Sequence, residues 1–285
     1  MGIIVILVVI GSIAFIVRGR MFGPSWVGSQ SMRRSWEQGW SHGALREEKD
    51  DQVAGDVTAI EVRNIAGSIT IHGGTARAVD IHSVKTGMFP AAMQNVTVGI
   101  EKQGTRLVVE ERHDGGFLMS AGTVSFDIAV PPGVKTIDAH SVSGSVTVRD
   151  VAAGVDQDLT TISGSISTTK AGDLAASSTS GSIEFDFAGS KLDARTVSGS
   201  IDGRIQSLDK GGSASMRSVS GSVALAAFPG LDAAVSLHSV SGRIECDFPV
   251  TSVEQKSNSL EGRIGDGTGR LEVTTTSGTI TIRKL

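Results

Sequence analysis

The sequence predicts an all-β fold: a single-chain β-solenoid of about 20-residue rungs, preceded by one N-terminal transmembrane helix. Three observations carry that prediction. A six-residue phrase, Ser/Thr-Val/Ile-Ser-Gly-Ser-Ile/Val in its commonest form, returns around Gly144, Gly164, Gly181, Gly199, Gly221, Gly242, Gly262 and Gly278, with spacings of 16 to 22 residues. The apolar positions change parity at each of these glycines. An apolar run, Ile3 to Val17, opens the chain.

The parity change explains the glycine. Five residues before it most repeats carry an apolar side chain, as at Ala139, Leu159, Ala194, Met216 and Val273. Two residues after it each carries Ile or Val: Val146, Ile166, Ile183, Ile201, Val223, Ile244, Ile264 and Ile280. Residues on one face of a strand share parity, so an odd offset before the glycine and an even one after it require a corner there. Glycine accepts the backbone angles and close approach that a corner demands. Each repeat is therefore read as strand, corner, strand and return loop. Rungs stacked about 4.8 Å apart turn the Ile/Val column into a continuous apolar stack, and eight of them make a rod of roughly 35 Å. Ser or Thr stands three residues before every glycine, from Ser141 to Thr275. That column is expected to form a hydroxyl ladder onto corner backbone groups.

Three regions are assigned. Residues 1–20 are the anchor. The fifteen residues Ile3–Val17 would span roughly 22 Å as a helix, short of a bilayer core of about 30 Å. Snorkelling Arg18 and Arg20 extend it, and they stand where a signal peptide would carry its small-residue cleavage site. Residues 21–55 form a juxtamembrane linker. It holds Trp26, Trp36 and Trp40, with Met32, Trp36 and Trp40 spaced four apart as in an interfacial helix; a spacer rich in Gly and Ser is the competing reading. Its charged end, Glu47–Asp51, is expected to be a hinge. Residues 56–285 are the repeat domain: an elaborated N-terminal part, 56–135, then regular rungs, 136–285. The elaborated part contains an early variant of the phrase at Gly67 and a strand pair around Gln103-Gly104. It is expected to cap the stack. The last rung, from Val273 to Leu285, is expected to be an open end offering unpaired backbone to a protein partner or a second copy.

The order of a Gly-Ser-Ile rung, a strand pair, Phe126-Asp127-Ile128-Ala129-Val130-Pro131-Pro132-Gly133-Val134 and serial Ser-Gly-Ser-Ile rungs resembles the bacterial "putative adhesin" β-repeat family, related to toast-rack domains. The resemblance covers Val57 to Leu285. It implies a membrane-associated role, since members often follow a membrane segment and related domains occur in envelope-stress systems. It supplies no catalytic residue.

Chemistry is sparse. The formal charge of −4, without a basic stripe interleaved with aromatics, argues against nucleic acid. Cys246 stands alone, so a disulfide framework or thiol metal site is excluded; its repeat position marks it as a small core residue. The six histidines show no metal-ligand spacing. Lys85-Thr86-Gly87 and Ser167-Thr168-Thr169-Lys170 imitate elements of penicillin-binding enzymes in the wrong chain order. Gly265-Asp266-Gly267-Thr268-Gly269 imitates one calcium turn of a β-roll, though a single copy builds no ladder. Glu184 and Asp202 both follow their glycines by three residues on neighbouring rungs, about 5 Å apart. They form the acidic pair that a carbohydrate-active β-helix enzyme would use, against the plain reading of solvated outward acids.

The expectation is a non-enzymatic, membrane-anchored scaffold of the bacterial cell envelope, with no cofactor, metal, nucleic acid or small-molecule substrate. A surface adhesin and a β-helix enzyme are the alternatives. Arginines 18, 20, 33 and 34 all follow the anchor, so the positive-inside rule leaves the domain on the cytoplasmic side of the cytoplasmic membrane.

Overall fold

The computed structural model describes residues 45–113 and 122–285. The expected anchor (1–20) and the linker as far as residue 44, with Arg18, Arg20, Trp26, Trp36 and Trp40, lie outside them. Among the described residues no helix is long and apolar enough to cross a membrane.

Twenty strands and one short helix are formed among the described residues. The N-terminal part holds β1 (Leu45–Val53), β2 (Ala59–Ala66), β3 (Ile69–Gly73), β4 (Val79–Gly87), α1 (Pro90–Gln94), β5 (Val96–Gln103), β6 (Arg106–His113) and β7 (Gly122–Val130). The rungs begin with β8 (Thr136–Ser143), β9 (Val146–Arg149) and β10 (Val155–Ser163), and run through three long strands, β11 (Ile166–Ser180), β12 (Ile183–Ser198) and β13 (Ile201–Ser220). After them come β14 (Val223–Ala227), β15 (Ala233–Ser241), β16 (Ile244–Cys246), β17 (Thr251–Lys256), β18 (Ser259–Ile264), β19 (Gly269–Ser277) and β20 (Ile280–Lys284).

Period-two alternation builds each strand. In β10, Val155, Gln157, Leu159 and Thr161 are buried, while Asp156 and Asp158 are exposed. Strands that precede a corner pair in the order β5–β6–β2–β8–β10–β11–β12–β13–β19–β15–β18–β17. Strands that follow one pair in the order β1–β4–β7–β3–β9–β11–β12–β13–β14–β20–β16. β11, β12 and β13 run on from one ladder into the other, so the whole is one strongly curled sheet. Pairing is parallel through the middle; it is antiparallel at both ends of the first ladder and at the β1 end of the second, whose other end, β20–β16, stays parallel.

The register stacks like on like. Val146, Ile166, Ile183, Ile201, Val223, Ile280 and Ile244 are successive partners. A second column pairs Ala176, Ala194, Met216, Val273 and Leu237. Both columns enter one continuous core, apart from Ile244, which packs against it half-buried at the last corner. Where a large ring enters, the facing position empties: a Cβ on Gly203 would lie 2.2 Å from the Phe185 ring. This is the alternation of large and small that native packing density requires.

Three expectations are corrected. The charged run Glu47–Asp51 is no hinge; it lies within β1, antiparallel to β4. Its charges meet cross-strand partners, with Asp50 Oδ1 2.6 Å from His82 Nδ1 and Glu47 3.8 Å from Lys85. An edge strand rich in charge is a recognised protection against stray pairing.

Gly262 is not a corner. It lies inside β18, opposite Val235 of β15 in antiparallel register. The β17–β18 hairpin therefore closes one end of its ladder instead of adding a rung.

The C-terminal rung is not an open end either. β19 lies between β13 and β15, and β20 lies between β14 and β16. After the Gly221 rung the chain leaves a gap, lays down the Gly242 rung and the hairpin, then returns to fill the gap. Both backbone edges of the last rung are thereby occupied, and Leu285 N–H donates to Ala227 O at 2.9 Å.

Candidate functional site

The most repeated residues meet at the corner. The N–H of Gly144 donates to Ser163 O, that of Gly164 to Ser180 O, and the pattern continues through Gly181, Gly199, Gly221 and Gly278 at 2.9 to 3.3 Å. Thr161, Ser178, Thr196, Ser218, Thr275 and Ser239 each donate a hydroxyl to the glycine carbonyl of the preceding rung, at 3.0–3.1 Å. All six are buried, which gives these polar groups the partner that burial requires. Their order in space is Gly67, Gly144, Gly164, Gly181, Gly199, Gly221, Gly278, Gly242. A Cβ on each from Gly144 onward would lie 1.9–2.3 Å from the carbonyl oxygen of the glycine before it. Only a residue without a side chain permits that approach.

The first corner is sealed differently. Asn64 takes the Ser/Thr position and donates through Nδ2 to Gly67 O at 2.7 Å and Val124 O at 3.0 Å. Ser141 Oγ, which would have served Gly67, is left buried without a hydrogen-bond partner. Glu111 Oε2 accepts from the N–H groups of Ile65 and Ala66 at 2.6 and 2.9 Å, while its Oε1 lies 2.6 Å from His113 Nε2. A buried carboxylate thus replaces the missing rung. Sequence reading missed this cap, although Asn64 at a position otherwise held by Ser or Thr was its visible signal.

The outward faces carry charge. Glu61 accepts from Arg106 at 2.6 and 2.9 Å and pairs with Arg63; Arg106 also reaches Asp138 at 3.1 Å. Burial opposes ionisation of Glu61, yet the Arg106 and Arg63 guanidiniums together hold its carboxyl below the ordinary range. Asp138 moves the other way, pushed up by burial and by its neighbour Asp158, with Arg106 offsetting part of that.

Glu184 and Asp202 are brought together as register partners on β12 and β13. Both are exposed. The same row continues into Ser167 on one side and Ala224 on the other. The next row pairs Asp186 with Arg204 at 3.9 Å. Two shallow hollows lie elsewhere, along Val235, Ser236, Glu261 and Arg270, and along Arg243, Glu245, Ser257 and Thr279. Neither includes the acidic pair, which stands on an open sheet face.

The other motifs resolve into structure. Thr168 is buried and bonds Gln157 in the core, and Lys85 and Thr86 lie within strand β4. The Gly265–Gly269 turn wraps an anion: Asp232 Oδ1 accepts from Gly267 N at 2.5 Å and Thr268 N at 3.2 Å, and Oδ2 accepts the Thr268 hydroxyl at 2.9 Å. Inward-pointing N–H groups suit a carboxylate and repel a cation. Cys246 is half-buried at the end of its column, where burial pushes its thiol up. His72 and His82 contact Asp127 and Asp50. Among the described residues, no three His, Cys, Asp or Glu side chains converge as a metal site.

Comparison with known proteins places this architecture. A search of curated proteins found no match. Solved structures similar to this chain include a "putative cell adhesion protein" from Clostridium sporogenes, at 10% identity and TM-score 0.37, covering 85% of this chain and 100% of that one. Another is a "putative adhesin" from Bacteroides fragilis, at 11% identity and TM-score 0.38, covering 85% and 98%. The family model described as Toastrack DUF4097 matches residues 119–283, more than half of the chain. This serine- and glycine-cornered protein belongs to the Toastrack DUF4097 family.

Proposed function

We propose that the chain is a non-enzymatic, membrane-anchored scaffold or interaction domain of the bacterial cell envelope. In this reading the curled sheet is a β-solenoid standing behind one transmembrane helix of the cytoplasmic membrane. One observation carries it: the repeated polar side chains are spent on the corner backbone, donating to the glycine carbonyls rung after rung. Repetition here builds a rigid support and leaves its outer surface free to vary. Along that support, Ile65, Val142, Val197, Val219 and Val240 remain exposed just before their corners. Exposed apolar side chains at this position, interrupted by Thr179 and Thr276, favour protein contact over solvent.

The same side chains serve a second reading, cell-surface adhesion, which requires the domain to face outward. Topology separates the two. With a tag after Leu285, protease treatment of intact cells should leave the tag in place, and only lysis should expose it. Loss of the tag from intact cells would reverse the orientation drawn from the arginines and put adhesion first.

A further inference from the structure

One corner of the domain carries apolar side chains that the core does not use. β4 ends at Gly87, and the next two residues, Met88 and Phe89, are 75% and 47% exposed. Leu45, the first residue of β1, is 42% exposed and is the register partner of Gly87. Three large apolar side chains thus gather at a single tip.

The tip is held in place. Gly87 pairs with Gly122 of β7, and α1 packs into the notch these two glycines leave. A Cβ on Gly87 would lie 3.2 Å from the Ala92 Cβ, and one on Gly122 would lie 2.7 Å from Ala92 O. Ala92 is fully buried, and its N–H donates to Phe89 O at 3.0 Å. With Ala92 filling the notch, Met88 and Phe89 are turned outward. Behind the tip the polarity rises in steps. The first row is Arg46–Thr86–Thr123, in which the two threonine hydroxyls bond each other at 2.7 Å. The next row holds the Glu47–Lys85 ion pair. Arg46 pairs with Glu48 at 2.6 Å, so apolar side chains give way to hydroxyls and ion pairs, the change of polarity that crosses a membrane interface.

The chain itself says which surface is near. Leu45 is the first described residue, and residues 18–44 join it to the apolar run Ile3–Val17. Whatever their conformation, those residues reach at most roughly 95 Å. A tether of this length keeps the tip at high effective concentration beside the bilayer, so a weak contact suffices.

We infer that the Leu45–Met88–Phe89 tip rests on the lipid surface and sets the tilt of the domain. This rests on the membrane anchoring proposed above. The test uses the full chain with Cys246→Ala, carrying a bimane probe at Met88→Cys, Phe89→Cys or, on a distant rung, Val240→Cys. Each protein is reconstituted into phosphatidylethanolamine–phosphatidylglycerol vesicles containing doxyl-labelled lipid, and flotation is measured first. The expected result is flotation of all three, with several-fold stronger quenching at positions 88 and 89 than at 240. Flotation with equal quenching at all three sites overturns the tip contact and leaves the anchor standing, whether solvent or a second copy covers the tip. Failure to float overturns the anchor and the tip contact together.

Discussion

Replacing Gly221 by Ala should damage the stack far more than its size suggests. The new Cβ would lie 2.0 Å from Gly199 O and 2.6 Å from Gly199 C, where ordinary contact begins at 3.4 Å. The obstacle is backbone, so no rotamer relieves it. The two corners must separate by more than an ångström. Three hydrogen bonds cross this step: Gly199 N to Ser220 O at 3.0 Å, Ile201 N to Ser222 O at 3.0 Å, and Ser218 Oγ to Gly199 O at 3.1 Å. At about 0.5–1.5 kcal/mol net for each, the loss is about 1.5–4.5 kcal/mol. Gly133→Ala is the control, because nothing lies within 4 Å of its Cβ position; it should change stability by no more than about 0.5 kcal/mol. Urea unfolding of the full chain in detergent, followed by far-ultraviolet circular dichroism, reads both midpoints. Equal midpoints for the two variants would refute the claim that the glycines are demanded by contact.

Three further outcomes follow from the same geometry. Gln157 and Thr168 bond each other inside the core while Gln157 Nε2 has no partner, so Thr168→Val alone should cost about 1–3 kcal/mol. The double change Gln157→Leu with Thr168→Val should be neutral or stabilising, and a double-mutant unfolding cycle measures the difference. The folded-state pKa of Glu61 is depressed, so its stabilisation is present above its ordinary value of 4.5 and is lost as pH falls below that through the folded value. Glu61→Gln should therefore flatten the acid limb of a stability–pH curve, and an unchanged limb would discount the Arg106 contact. Deleting residues 269–285 removes a rung from between two others, so limited proteolysis should find both the Gly221 and Gly242 rungs newly cut; protection of both would contradict the inserted order.

The candidate surfaces were legible to different degrees. Strand-by-strand register made Glu184 and Asp202 neighbours before any coordinates, because equal offsets from stacked corners are equal heights on a sheet. That they stand on an open face depends on what flanks them, Ser167 and Ala224, and on an absence of walls that no local pattern encodes. The Glu111 cap was invisible for another reason: it serves Ile65 and Ala66 from more than forty residues away. The Leu45–Met88–Phe89 tip was hidden likewise. Met88 and Phe89 are two adjacent apolar residues whose exposure depends on Ala92 filling the Gly87–Gly122 notch.

Periodicity alone determined the rung, the corner glycine, the inward Ile/Val column and the buried hydroxyl three residues before each corner. These follow from strand parity and from the need to satisfy every buried polar group, and both act over a few residues. Tertiary structure decided the order of the rungs, the conversion of the Gly262 phrase into a hairpin and the recruitment of Glu47–Asp51 as an edge strand. Each rung presents nearly the same backbone edge and the same apolar column, so local sequence cannot distinguish one stacking order from another. The choice falls to the connecting segments and to whatever covers the last exposed edge, and those interactions exist only once the chain has come together.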